Sequence, residues 1–390
     1  MVAPGSVEQS TELACGEHRI ADLGADVIAR VGPGAPVLLV SDQGLVRAGL
    51  VVRAETALVR HGLEVAIFAD LDGEPAAGQI DNAAASARQH QARLVVALGG
   101  GSALDAGKLA AAIAPADLEA EAYALAVRPL PRVPLPVIAI PTTAGTGSEM
   151  TRTAVFTDQA GRKVWAWGEA LRPRLALLDP TLTTGLPAAL TAISGLDALV
   201  HAIEAATGQR ATPTSTGHAL DAIRLVLAHL ETAVRRPDDL RARTGMLRAA
   251  CLAGRAIDAS GTGVAHGLGH ALGTLAKVPH GLAVALALRA ALVWNAEPAP
   301  DRFRQIAQAM GLERTDDAQL GAALAARYDA LLVAVDCTLD LTRYGLGAAD
   351  AQRLTDATLA PENRPMLENN ARPVDADAAG ALVRRVLSGG

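Results

Sequence analysis

The chain has 390 residues, roughly two to three times a typical domain, so a single small module is excluded and two domains are expected. Its 35 Lys and Arg against 41 Asp and Glu leave a formal charge of −6, which offers no electrostatic footprint for a nucleic-acid partner. Half of the residues are hydrophobic but only nine are aromatic (three each of Phe, Trp and Tyr), so the core is expected to be aliphatic and rich in alanine.

Residues 1–20 include Glu8, Glu12 and Glu17 and lack a basic start followed by an apolar run, so no secretory leader is expected. Short apolar runs at Val37–Val40, Glu64–Phe68, Leu94–Leu98 and Pro136–Ile140 read as buried strands separated by helix-compatible stretches. That alternation predicts a parallel sheet with helices on both faces. Ala154–Phe156 and Lys163–Trp167 flank a turn, and Leu175–Leu178 ends at Asp179-Pro180. Beyond about residue 185 the period becomes helical, in segments near 187–207, 212–234, 240–258, 264–276, 281–296, 301–311, 318–335 and 348–358. The expected organisation is therefore an α/β domain over 1–183 and an all-helical domain over 184–390, with a ligand cleft between them. The longest apolar stretch, Gly281–Trp294, carries Arg289 and falls short of the roughly 18 residues a bilayer span needs, so no membrane partner is expected. Cys15, Cys251 and Cys337 form no CxxC pair, which suits a reduced, cytoplasmic setting.

Leu94–Leu98 runs directly into Gly99, Gly100, Gly101 and Ser102. Glycines there let a ligand approach the backbone, Ser102 can cap the following helix with Asp105 at the third helical position, and the helix N-terminus then favours a phosphate. Neither a P-loop nor a GxGxxG fingerprint is present, because Leu109 follows Lys108 and Leu104 stands where the third glycine would be; a tight strand-to-helix turn also fits. A second loop after Pro136–Ile140 carries Thr142, Thr143, Thr146 and Ser148, and fits either the same crevice or a polar surface connection. Asp42 ends the strand Val37–Ser41. It suits the ribose hydroxyls of NAD, or equally an Asx-type turn, although it precedes the glycine loop by 57 residues.

In the helical half, Asp197 and His201 are four residues apart, as are His266 and His270, and His280 follows. Five ligand-type side chains in apolar helices would each be costly to bury alone, and convergence on one metal ion resolves that cost. Imidazoles with a carboxylate suit Fe(II) or Zn(II), with intrinsic affinity favouring zinc.

The strings Gly99–Lys108, Pro141–Thr151, Gly195–Glu204, His266–Gly273 and Pro279–Gly281 together resemble the iron-containing (group III) alcohol dehydrogenases, in order from about residue 36 to about 296. The resemblance implies an N-terminal dinucleotide-binding domain and a helical metal-binding domain. Asp197, His201, His266 and His280 would be the metal ligands, with His270 as a proton relay or substrate contact. It further implies that Gly99, Gly100, Gly101 and Ser102 hold the pyrophosphate, with Asp105 towards the nicotinamide. Thr142, Thr143 and Thr146 would contact the nucleotide, Lys163 would reach the ribose, and Leu182 would border the adenine.

The expected activity is metal-dependent, NAD(H)-linked interconversion of a small alcohol and its aldehyde or ketone, with NAD(H) favoured over NADP(H). A glycerol dehydrogenase-like polyol enzyme, and a metal hydrolase or lyase acting on a phosphorylated substrate, are the alternatives. Departures cluster around the substrate side: Glu74-Pro75 replaces Asn-Pro, Ala271 replaces Pro, Arg152 stands where some members have Asn, and Arg255–Ser260 lacks the usual pattern. Arg152, Arg255 and Lys277 would suit an anionic aldehyde. The Ala- and Leu-rich helices lead us to expect a homodimer or higher homo-oligomer.

Overall fold

The computed structural model describes residues 10–312, 316–338 and 340–388, so Glu8 lies outside the described residues. Its strands are β1 Glu12–Cys15, β2 Pro36–Val40, β3 Glu64–Phe68, β4 Leu94–Gly99, β5 Val137–Pro141, β6 Thr153–Thr157, β7 Lys163–Trp167 and β8 Leu175–Leu178. The helices among them are α1 Leu23–Val31, α2 Gln43–Arg47, α3 Leu50–Val59, α4 Ala77–Gln89 and α5 Gly101–Ile113. From residue 188 onward come α6 Ala188–Thr207, α7 Pro213–Arg235, α8 Leu240–Ser260, α9 Val264–Ala276, α10 His280–Ala296, α11 Pro300–Ala309, α12 Asp317–Ala334, α13 Ala351–Thr358, α14 Arg364–Asn369 and α15 Ala376–Leu387.

Six strands form one parallel sheet in the order β1-β8-β5-β4-β2-β3, and β6 and β7 form a separate antiparallel hairpin. Side-chain alternation divides the sheet's residues between two cores. Leu38, Val40, Val95, Ala97, Val137 and Ala139 pack with α4, α5 and the hairpin. Val37, Leu39, Val96, Leu98, Ile138 and Ile140 pack against α1 and α3. This two-sided burial explains why the strands read as continuous apolar runs.

The chain leaves β2 for β3 on one side and returns to β4 on the other, so the sheet has a topological switch point between β2 and β4, where a crevice opens at the carboxyl ends. Asp42 and Gly99 both sit at that edge. Their 57-residue separation in sequence is irrelevant because β2 and β4 are hydrogen-bonded neighbours.

Helix α6 meets the length and composition of a membrane span, which the 281–294 stretch does not. However, 72% of its apolar window is buried inside the molecule, in the core it shares with α7 to α10.

Candidate metal centre and cofactor cleft

The glycine turn is tighter than its residues suggest. Helix α5 starts at Gly101 with Gly100 as its N-cap and no side-chain cap bond, which corrects the expectation of a Ser102 cap with Asp105 in a capping box. Ser102 lies within the first turn. Asp105 is instead occupied by the protein: Oδ1 accepts from Ser148 Oγ at 2.5 Å, Oδ2 accepts from the Val155 N–H at 2.9 Å, and Lys108 lies 2.9 Å from Oδ1. Lys108, wholly buried, also donates to the Ser148 carbonyl at 3.0 Å and Thr151 Oγ1 at 3.2 Å. The pair therefore ties α5 to the loop that follows β5.

That loop lies on the glycine turn. The Thr142 N–H donates to the Gly99 carbonyl at 2.9 Å, and the Thr143 side chain lies 3.5 Å from where a Cβ on Gly100 would sit. A Cβ on Gly101 would come within 2.6 Å of Thr146 Cγ2, so only glycine permits this approach. Asp42 caps α2 through the Leu45 N–H at 2.9 Å using Oδ1, as the Asx-turn reading anticipated. Its Oδ2 lies 3.5 Å from the Gly99 Cβ position, at the mouth of the same crevice. Leu182 packs into the core beneath α1 and α3.

The loop's far side meets the metal residues. Gly145 lies against α6, where a Cβ would come within 2.7 Å of the Ser194 carbonyl oxygen, and its backbone is close to His201. One loop, residues 142–147, thus touches both the glycine turn and the His201 imidazole.

Asp197 and His201 stand one turn apart on α6, His266 and His270 one turn apart on α9, and His280 opens α10. Asp197 Oδ1 is the hub: His201 Nδ1 lies 3.7 Å from it, His266 Nε2 3.8 Å and His280 Nε2 3.7 Å. The ligand atoms of Asp197, His201 and His266 all lie within 4.8 Å of one another, and the His201 and His266 rings stack at 4.4 Å. Asp197 Oδ1, His201 Nδ1 and His266 Nε2, which meet at this hub, are buried with no hydrogen-bond partner among the described residues. Orphaned acceptors of this kind are costly, and a divalent cation among them satisfies the cost. Burial pulls His201 down to about 4 despite the opposing charge of Asp197. It also holds His270 and His280 well below the ordinary histidine value, with the Lys163 charge adding to the effect. Neutral imidazoles are the form that ligates.

His270 stands apart from the hub. Its ring centroid is 6.4 Å from that of His266 and 5.7 Å from that of His280, and the Asn363 side chain lies close to it. Lys163 pairs with Glu74 at 2.6 Å. Arg152 is taken by Asp258, at 3.1 Å, and by Glu169, and its guanidinium covers the Trp167 ring at 5.1 Å. Lys277 is the exposed, left-handed C-cap of α9.

Two kinds of residue escaped the sequence reading. Glu204, buried beside His266, continues the Asp197 and His201 face of α6, so the i, i+4, i+7 spacing could have found it. Asn363, which arrives from the far C-terminal segment, has no local signal.

Residues 10–180 match the family model "Iron-containing alcohol dehydrogenase", and residues 191–387 match "Fe-containing alcohol dehydrogenase family, C-terminal". The chain is 38% identical over 284 residues to the probable alcohol dehydrogenase EutG of Escherichia coli K12, covering 72% of this chain and 71% of that protein. It is 32% identical over 355 residues to the sulfoacetaldehyde reductase of Bilophila wadsworthia, covering 90% and 91%. Among solved structures, the sulfoacetaldehyde reductase of Bifidobacterium kashiwanohense in complex with NAD+ superposes with a TM-score of 0.88 at 28% identity, covering 99% of each chain.

Proposed function

Since this chain belongs to the iron-containing alcohol dehydrogenase family, we propose that it interconverts a small alcohol and its aldehyde with NAD(H), using Asp197, His201, His266 and His280 to hold one divalent ion, Fe(II) or Zn(II). The carrying observation is the 142–147 loop. It joins the glycine turn to His201, so a nicotinamide laid over that turn would face the metal cluster. Bound there, the ion would supply Lewis acidity and the nicotinamide the capacity for hydride transfer. The similarity extends over both halves, which sets aside a hydrolase or lyase.

The chain's own groups do the rest. Gly99, Gly100, Gly101 and Ser102 offer the α5 N-terminus to the pyrophosphate, with Thr142, Thr143 and Thr146 along its flank. Asp42 presents Oδ2 to the ribose and repels a 2′-phosphate, which favours NAD(H) over NADP(H). Lys163 bounds the ribose side, Leu182 backs the adenine side and Asp105 fixes the loop. His270, neutral and beside Asn363, carries the proton to and from the substrate.

Lys163 is neutralised by Glu74, and Arg152 by Asp258 and Glu169, so the charge balance supports an uncharged substrate over an anionic one. Edge strand β1, with Leu13 half-exposed, supports a homodimer or larger assembly, and three free thiols suit the cytoplasm. The test is NADH consumption by the iron- or zinc-reconstituted protein with size-matched neutral and anionic aldehydes. We expect turnover that His266→Ala abolishes, with the larger kcat/KM for the neutral compound. Retained activity in His266→Ala at normal metal content contradicts the site, and a preference for the anion contradicts the substrate class.

A further inference from the structure

We infer that Glu204 is a positioning residue of the metal centre: its single carboxylate caps helix α9 and sets the tautomer of His266. The inference rests on the reading that Asp197, His201, His266 and His280 hold the ion.

Glu204 Oε1 accepts the Ala265 N–H at 2.6 Å, and Oε2 lies 2.6 Å from His266 Nδ1, with both side chains 4% exposed. A carboxylate can only accept, so Nδ1 carries the ring proton and Nε2 is left bare. That bare nitrogen is the atom 3.8 Å from Asp197 Oδ1 with no partner of its own. Helix α9 needs the other half of the arrangement. Its N-cap is Gly263, which has no side chain to offer, and a Cβ there would come within 3.0 Å of Glu204 Oε1 and of Asn370 Oδ1. The first free N–H groups are therefore satisfied from a distance, Val264 by Asn370 Oδ1 at 3.2 Å and Ala265 by Glu204. One carboxylate thus joins α6, the helix of Asp197 and His201, to both the backbone and the imidazole of α9.

An isosteric amide cannot do both jobs. If a glutamine oxygen stays on the Ala265 N–H, its NH2 faces His266 Nδ1 and drives the ring proton to Nε2, where the ion must bind. If the amide is reversed, its NH2 opposes the Ala265 N–H. Partners of this kind typically change metal affinity by about 10- to 100-fold.

The experiment compares full-length wild type with Glu204→Gln and Glu204→Asp. Zn(II) affinity is read by chelator competition on metal-free protein, and the His266 tautomer from 15N shifts of histidine-labelled protein. We expect the Nδ1–H tautomer in wild type and the Nε2–H tautomer in Glu204→Gln. Zinc should bind about 10- to 100-fold more weakly to Glu204→Gln, with Glu204→Asp between the two. Wild-type zinc affinity and an unchanged tautomer in Glu204→Gln would overturn the inference and leave a capping role only. An Nε2–H tautomer in the wild type overturns it without any variant, should Glu204→Gln fail to fold. Wild type that shows the Nδ1–H tautomer but does not bind zinc defeats the metal reading itself, and the inference with it.

Discussion

Glu149 is buried in the loop between Gly147 and Thr151, with Oε1 lacking a partner among the described residues. Burial raises its carboxyl from 4.5 to about 7, against the pull of Lys108. Because the folded value lies above the unfolded one, the native chain holds a proton that the unfolded chain has lost, and stability falls as pH rises from about 4.5 to about 7. Glu149→Gln removes that loss. The variant should gain on wild type across this window, approaching about 3 kcal/mol at pH 8, as read from urea unfolding at several pH values; a pH-independent difference would contradict the assignment. The sequence made the metal residues legible for the same reason that it hid Glu149. Asp197, His201, His266 and His280 are polar groups at helical spacing on apolar helices, whereas Glu149 sits in a loop already crowded with polar residues.

At the scale of elements, the strand-to-helix turn at Gly99–Gly101 is tightly constrained. With 2.6 Å between a Gly101 Cβ and Thr146 Cγ2, Gly101→Ala must push the two loops apart. Overpacking of this kind costs about 1–3 kcal/mol, so NADH should bind about 5- to 150-fold more weakly. Thr146→Ser in the same chain removes Cγ2 and should restore part of the affinity in a fluorescence titration. Unchanged binding in the single variant would contradict the geometry. The strands and long helices were legible because two-sided burial and the 3.6-residue period leave continuous patterns. The α5 cap was not. Ser102 with Asp105 mimics a capping box, but tertiary bonds from Ser148 and Val155 claim Asp105 and the helix begins at Gly101. Strand β1 was missed because four mostly exposed residues show no alternation; pairing with β8, some 160 residues away, makes it a strand.

Across the whole molecule, the two halves meet through polar ties as well as apolar contact. Arg152 and Arg172 on the α/β side hold Asp258 of α8, and Trp165 Nε1 donates to the Glu362 carbonyl at 3.1 Å. Asp258 is nearly buried and receives the Arg152 backbone N–H at 2.8 Å as well as its guanidinium. Asp258→Ala should therefore cost about 2 kcal/mol in urea unfolding, more than an exposed pair would. A change within error would mean that this tie contributes nothing to closing the cleft. The passage from strands to long helices after β8 was legible as a change of period. The ties between the two halves were not, because each joins residues that are unremarkable in their own segments. The positions of the divalent ion and the nicotinamide are measured most directly by an anomalous difference map at the zinc edge from crystals grown with Zn(II) and NAD+. We predict one peak per chain bonded at about 2.0–2.2 Å to Asp197, His201, His266 and His280, with the nicotinamide beside it; a peak elsewhere, or a nicotinamide remote from those four side chains, would contradict the proposed site.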